Sequence, residues 1–260
     1  MAAGSPEQAV PDLPFCSLDN AGRFGQSALV EDFPGYLRER VVDGLRSLVV
    51  AQRDDTYVVS FFVYDEQDDP RLPTLTVGTN TESQVRLHDD EGDDLEVRWN
   101  YAYWQQDELS VVGAEATDPV GVQLRRSWLD SQGLWFEDDT DTPFAALCFD
   151  DKIKWYSTPR ADTVNPTAPV SDADDLSPES DAAGGRITKN FVELCVRTAQ
   201  ELHASGLIEK LFGRPIPIVV HELEYYDEIA QQNIEANGPE LASGLVEWIS
   251  SMYDEIGDDL

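Results

Sequence analysis

Apolar residues recur at helical spacing in several stretches of the chain. From Phe33 to Leu48 they return every three or four positions. This spacing predicts an amphipathic helix over residues 33–52, with Asp32 as its N-cap. Capping residues and the same spacing predict further helices at 79–88, 118–131, 188–205 and 240–253.

Residues 56–64 (TYVVSFFVY) carry the strongest strand signal. β-Branched and aromatic residues fill this segment with little alternation, which is typical of a central strand covered on both faces. Shorter strands are predicted at 75–77, 109–112, 144–149 and 215–220. The mixture of helices and strands favours an α/β or α+β fold, in which a single mixed central β-sheet is flanked by helices.

One long segment, residues 157–186, is rich in Pro, Ser, Asp and Ala. Its composition predicts a flexible linker or a long acidic Pro/Ser-rich insertion. We therefore expect an irregular N-terminal segment over residues 1–26 and one domain built from 27–156 and 187–260. Two small domains divided at the linker are the alternative.

Acidic side chains are spread along the whole chain of 260 residues. There are 51 Asp and Glu residues against 18 Lys and Arg residues, so the formal net charge is −33 at pH 7. Such a surface repels nucleic acids and anionic membranes, and neither is an expected partner. It attracts a basic protein. Adaptation to a salt-loaded cytoplasm is the competing explanation, and the even spread of the carboxylates favours it.

The cysteines and the N-terminal segment bear on location. Cys16, Cys148 and Cys195 stand far apart, and none has the C-x-x-C spacing of a thiolate metal site. The segment MAAGSPEQAVPDLP lacks the basic and apolar regions of a secretion signal. We expect free thiols and a cytoplasmic protein of undetermined oligomeric state.

Known catalytic and cofactor-binding motifs are absent from the sequence, so no cofactor and no metal site are predicted. His221 follows the predicted strand 215–220, where sites of α/β proteins gather. Four residues later, however, Tyr225 stands where a zinc protease has its second histidine. A carboxylate-based Mg²⁺ site using Glu82, Asp65 and His221 is kept as an alternative.

Aromatic residues alternate along residues 97–104, where Trp99, Tyr101 and Tyr103 lead to Trp104. This alternation predicts a strand with one aromatic face. The rings could pack in the core, or form a protein-binding surface, because Trp and Tyr dominate interface hot spots. A platform for stacking nucleic-acid bases is a third interpretation, which the acidity of the chain disfavours.

Several short segments together resemble an uncharacterised family, known as domain of unknown function 4303, over about two-thirds of the chain. They are SFFVY with the following Thr79-Asn80-Thr81-Glu82, Arg98-Trp99 leading to Trp104, the helix 191–202 with SGLIEKLFGRPIPIVV, and HELEYYDEIAQQNIEANGP. The chain departs from the family pattern by the linker and a long middle segment. The resemblance implies no catalytic residues. It implies an immunity-like or other protein-binding role, since such small acidic proteins are encoded beside polymorphic toxins.

Our first functional hypothesis is a non-enzymatic protein-binding module that neutralises a basic partner. The alternatives are a carboxylate-based metal-dependent enzyme and a housekeeping protein whose acidity is adaptation to high salt. The candidate binding residues are Trp99, Tyr101, Tyr103, Trp104, Glu82 and His221.

Overall fold

The computed structural model describes residues 32–88, 93–136 and 178–257. The predicted N-terminal segment 1–26, the predicted strand 144–149 and residues 157–177 of the predicted linker lie outside these ranges. Cys16 and Cys148 also lie outside them, whereas Cys195 is a buried free thiol.

Four strands form one mixed sheet in the order β3-β2-β1-β4. They are β1 (Thr56–Asp65), β2 (Pro73–Thr81), β3 (Ser110–Val112) and β4 (Ile218–His221). β1 pairs antiparallel with β2 and parallel with β4, and β2 pairs antiparallel with β3. The prediction of a single mixed sheet flanked by helices is confirmed, with the α+β arrangement, and β1 is a central strand as expected.

Nine α-helices accompany the sheet in the part of the chain that the structure describes. They are α1 (Phe33–Ser47), α2 (Val50–Asp55), α3 (Glu82–Leu87), α4 (Asp94–Trp99), α5 (Pro119–Ser131), α6 (Pro178–Ala204), α7 (Leu207–Phe212), α8 (Asp227–Asn237) and α9 (Pro239–Gly257).

The two faces of the sheet carry separate cores, because successive side chains of a strand point to opposite faces. Val59, Phe61 and Val63 of β1 pack with apolar residues of α1 and α6. On the opposite face, Val58 and Val219 pack with apolar residues of α4, α8 and α9. The second face also carries the side chains of the candidate site described below.

Two predicted helix boundaries differ from the structure. The helix predicted over 33–52 ends at Ser47, because the buried Leu48 is extended, with φ −60° and ψ 133°. The helix predicted from Thr79 starts only at Glu82, and Thr81 is its N-cap, accepting from the Gln84 backbone N–H at 3.1 Å. The buried Thr79 instead extends β2 and pairs with β1.

The strand predicted over 97–104 is wrong. Residues up to Trp99 belong to α4, and Tyr101–Tyr103 form a 3₁₀ turn. The oxygen atoms of Asp93 and Asn100 accept local backbone hydrogen bonds, Asp93 from two N–H groups of α4 and Asn100 from Ala102. Such local bonds favour helix starts and turns over strands. They explain why the alternating aromatic residues gave a wrong prediction of a strand.

Helix α6 also begins earlier than predicted. We expected Thr188 as its N-cap, but the helix starts at Pro178 and therefore includes the last nine residues of the predicted linker. Thr188 lies inside the helix, where its hydroxyl approaches the Asp65 carboxylate at 3.4 Å.

The outer edge of β4 is closed by side chains of α8. Asn237 accepts from the Ile218 N–H at 2.7 Å and donates to the Ile218 carbonyl at 2.8 Å. Asn233, one helical turn earlier, makes the same two bonds with Val220, both at 2.8 Å. Two asparagine amides thus satisfy backbone groups that an edge strand otherwise leaves open.

Candidate functional site

The candidate site lies where the parallel strands β1 and β4 end. Phe62 and His221 are register partners there. Ser60 and His221 share a hydrogen bond, so both side chains lie on the sheet face that α4, α8 and α9 cover. The 3₁₀ turn containing Tyr101 brings a further ring against them.

His221 is completely buried and fully bonded. Its Nδ1 lies 2.8 Å from the Glu222 carbonyl oxygen, and its Nε2 lies 2.8 Å from the Ser60 hydroxyl. Because a carbonyl oxygen only accepts, Nδ1 carries the proton and Nε2 accepts from Ser60. Burial lowers the pKa of His221 to about 4, so the imidazole is neutral near pH 7.

The Ser60–His221 pair has the spacing of a nucleophile and its base. Ser60 is only 2% exposed and His221 is 0% exposed. Four rings surround the imidazole, with centroid distances of 5.6 Å to Phe62, 4.8 Å to Tyr101, 5.5 Å to Trp104 and 6.0 Å to Tyr225. His221 therefore packs against these four rings, and neither side chain of the pair faces solvent.

Two of these rings, Phe62 and Tyr101, form a row of nearly parallel planes with Tyr64, and we call these three rings the aromatic row. Tyr64 and Phe62 are 5.3 Å apart with planes at 23°, and Phe62 and Tyr101 are 5.0 Å apart at 20°. All three are partly exposed. The row thus presents aromatic surface to solvent above a rigid, buried base.

The segment that carries Tyr101 is held at one end by Tyr225, which follows β4, and at the other end by Thr79 of β2. The Tyr101 N–H donates to the Tyr225 hydroxyl at 3.1 Å. Asp107 accepts from the Thr79 N–H at 2.6 Å and from its hydroxyl at 3.1 Å. Gly78 permits this approach, because a Cβ there would lie 2.6 Å from the Asp107 carbonyl oxygen.

Carboxylates border the aromatic row. Burial raises the pKa of Tyr64, a hydrogen bond with Thr76 opposes the shift, and the negative charges of Glu66 and Glu108 raise it further. Burial likewise raises the pKa of Tyr101, with contributions from Asp107 and the same Glu108. Glu108 is exposed, and its charge acts on both ends of the row.

Glu82 forms an ion pair with Arg98 that links α3 to α4. Both of its carboxylate oxygens accept from Arg98, at 2.6 and 3.1 Å, and these bonds lower the pKa of Glu82. The Arg98 guanidinium lies 4.1 Å from the centroid of the Tyr57 ring. The Arg98 carbonyl accepts from the Tyr57 hydroxyl and, at 3.0 Å, from Trp104 Nε1.

The structure divides the predicted site residues into two groups. Trp99 and Trp104 are core residues with 6% and 4% exposure. Tyr101 and Tyr103 are partly exposed, but only Tyr101 joins the row, whereas the Tyr103 ring contacts His88 at 5.6 Å. The prediction missed three members of the cluster, although two of them stand in the strand segment SFFVY: Phe62, Tyr64 and Tyr225.

The structure does not assemble the alternative metal site. Glu82 pairs with Arg98, Asp65 lies near Thr188, and His221 is enclosed by rings. Among the described residues, no group of three or more His, Cys, Asp or Glu side chains could hold a metal ion.

Within the described ranges, no helix has the length and apolarity needed to cross a membrane. The resemblance to the domain of unknown function 4303 family stays a prediction. No family model matches the chain, and no significant match exists among curated proteins or solved structures.

Proposed function

We propose that this protein is a non-enzymatic binding module whose partner is a basic protein. The observation that carries the proposal is the aromatic row, which combines partly exposed rings, a buried base and a border of carboxylates. Rigid aromatic side chains supply binding energy at low entropic cost, and Tyr is enriched among interface hot spots.

The charge of the chain supports the same proposal. A net charge of −33 accelerates the encounter with a cationic partner and makes the rate of association fall with salt. The negative charges of Glu66 and Glu108 also act on Tyr64, where they contribute to the raised pKa of its hydroxyl. The rings and the carboxylates therefore favour the same class of partner.

The buried Ser60–His221 pair also favours binding over catalysis. A nucleophile must reach its substrate, whereas Ser60 is only 2% exposed and its partner His221 is enclosed by four rings. In this proposal the hydrogen bond between Ser60 and His221, at 2.8 Å, fixes the imidazole against which the rings pack.

The proposal is tested by the anisotropy of dye-labelled peptides that alternate cationic or neutral residues with glycine, in about 50 mM salt. Cationic peptides should bind the protein, and neutral peptides should not. Tyr101→Ala should weaken binding by about tenfold, the loss typical of a hot-spot ring. Tyr103→Ala removes a neighbouring tyrosine outside the row and should change Kd less than about twofold.

Two results would count against the proposal. One is equal binding of cationic and neutral peptides, and the other is an equal effect of the two tyrosine substitutions. Circular dichroism of both variants should match the wild-type spectrum, so that a loss of binding reports the row and not unfolding.

A further inference from the structure

The fold contains an internal example of how it holds a cationic side chain. The Arg98 guanidinium lies over the Tyr57 ring, 4.1 Å from its centroid, and Glu82 binds this guanidinium through two oxygens. Arg71 repeats the arrangement, 5.2 Å from the centroid of the Phe136 ring and bonded to both oxygens of Asp69. The recurring unit is a ring, a guanidinium and a carboxylate.

The aromatic row has two parts of this unit. Tyr64 and Tyr101 supply rings. Glu108 stands between Asp107, which accepts from the Thr79 N–H, and Leu109, whose N–H donates to the Val77 carbonyl of β2. Its negative charge contributes to the raised pKa of both tyrosines. Within the described residues, no arginine or lysine lies over any of the three rings. The row thus lacks the cation that its surroundings favour.

Guanidinium fits this arrangement better than ammonium. It is planar, weakly hydrated and able to stack on a ring while it bonds a carboxylate in its own plane. Lysine offers a compact, strongly hydrated charge that gains less from a flat aromatic surface. Tyr64 and Tyr101 each stack on Phe62 with planes at 23° and 20°, so a guanidinium would stack on the remaining face of an end ring.

We infer that the aromatic row binds an arginine side chain of the partner, stacked on Tyr64 or Tyr101 and paired with Glu108. This inference rests on the proposed function. It narrows the class of partner from basic proteins in general to basic proteins with an exposed arginine.

Two peptides of equal charge test the inference, one alternating arginine with glycine and the other alternating lysine with glycine. We expect the arginine peptide to bind at least about fivefold more tightly in isothermal titration calorimetry. Tyr64→Leu should remove most of this preference, whereas Tyr64→Phe keeps the ring and should retain it.

A pair of charge-matched variants tests the carboxylate. Glu108→Gln should weaken the arginine peptide by about fivefold. Glu209→Gln removes the same charge from an exposed position on α7. This helix precedes the first residue of β4, whereas the aromatic row lies near the last residue of that strand. This control should change Kd less than about twofold, because a distant exposed charge is largely screened.

The outcomes separate the inference from the proposed function. Equal binding of both peptides, or equal effects of Glu108→Gln and Glu209→Gln, would overturn the arginine site and leave binding of cationic partners standing. Binding of neither peptide to the wild-type protein would overturn both. Tyr64→Phe is the control for misfolding. It keeps the ring that stacks on Phe62, so this variant should fold and should retain the preference for the arginine peptide.

Discussion

At the scale of single residues, His221 shows the effect of burial on a titrating group. Its pKa is lowered to about 4 in the folded protein, because burial removes the water that would solvate a protonated imidazole. In the unfolded chain a histidine titrates near about 6.5. Between these values the unfolded state binds more protons, so this histidine lowers the free energy of unfolding as the pH falls from about 6.5 to about 4.

We expect His221→Gln to lose this part of the acid sensitivity. Glutamine does not titrate, and its amide can still accept from Ser60. From about pH 7 to about pH 4.5, the free energy of unfolding of the wild-type protein should fall by about 2 kcal/mol more than that of the variant. Urea denaturation at both pH values measures the difference.

The carboxylates titrate in both proteins, so the comparison isolates the histidine. Equal losses of stability in the two proteins would show that the imidazole is not the buried neutral group described. His203→Gln is a useful second variant, because burial lowers that pKa too, although a bond with Asn237 opposes the shift.

The sequence indicated His221 as a candidate but could not indicate its surroundings. Ser60 is 161 positions away from His221, and Tyr101 bonds a tyrosine 124 positions away. Such contacts depend on the parallel pairing of β1 with β4, which no local spacing encodes. The alternating aromatic residues did point to Tyr101, but they gave Trp99 the same weight, although it is core.

At the scale of elements, α8 takes the place of a fifth strand beside β4. We expect Asn233→Ala to lower the free energy of unfolding by about 1–3 kcal/mol, because the buried Val220 N–H loses its acceptor. Gln231→Ala is the matched control on the same helix, with an exposed side chain that bonds only Glu235 among the described contacts. Urea denaturation of both variants provides the test.

The control should stay within about 0.5 kcal/mol of wild type, as most exposed substitutions do. A similar loss in both variants would mean that the effect does not come from the strand edge, because alanine at either position favours the helix itself. Because unpaired edges promote association, Asn233→Ala should also aggregate sooner than the control on heating.

Elements with local signals were predictable, and those that depend on distant contacts were not. Asp32 and Asp118 cap α1 and α5 through bonds three residues long, as the sequence indicated. Gly133, two residues after the end of α5, has φ +65°, the left-handed conformation that favours glycine after a helix. No such signal predicted α8, whose buried Asn233 and partly buried Asn237 bond the backbone of β4.

At the scale of the whole molecule, the salt dependence of folding separates the two explanations of the charge. If the acidity serves binding, the melting temperature should rise with KCl only until surface charges are screened, at a few tenths molar, where the Debye length is about 5–8 Å. Thermal unfolding from near zero to several molar KCl measures this. A rise that continues into molar salt would identify adaptation to habitat and remove the charge argument for a basic partner.

The closed edge of β4 limits how this molecule can be recognised. A partner cannot extend the sheet there, because asparagine amides already occupy the backbone groups, and β3 offers only three residues. Recognition then rests on side chains whose replacement leaves the strand pairing intact. Substitutions at Tyr64, Tyr101 and Glu108 could exchange one partner for another during evolution, while the scaffold beneath them stays constant.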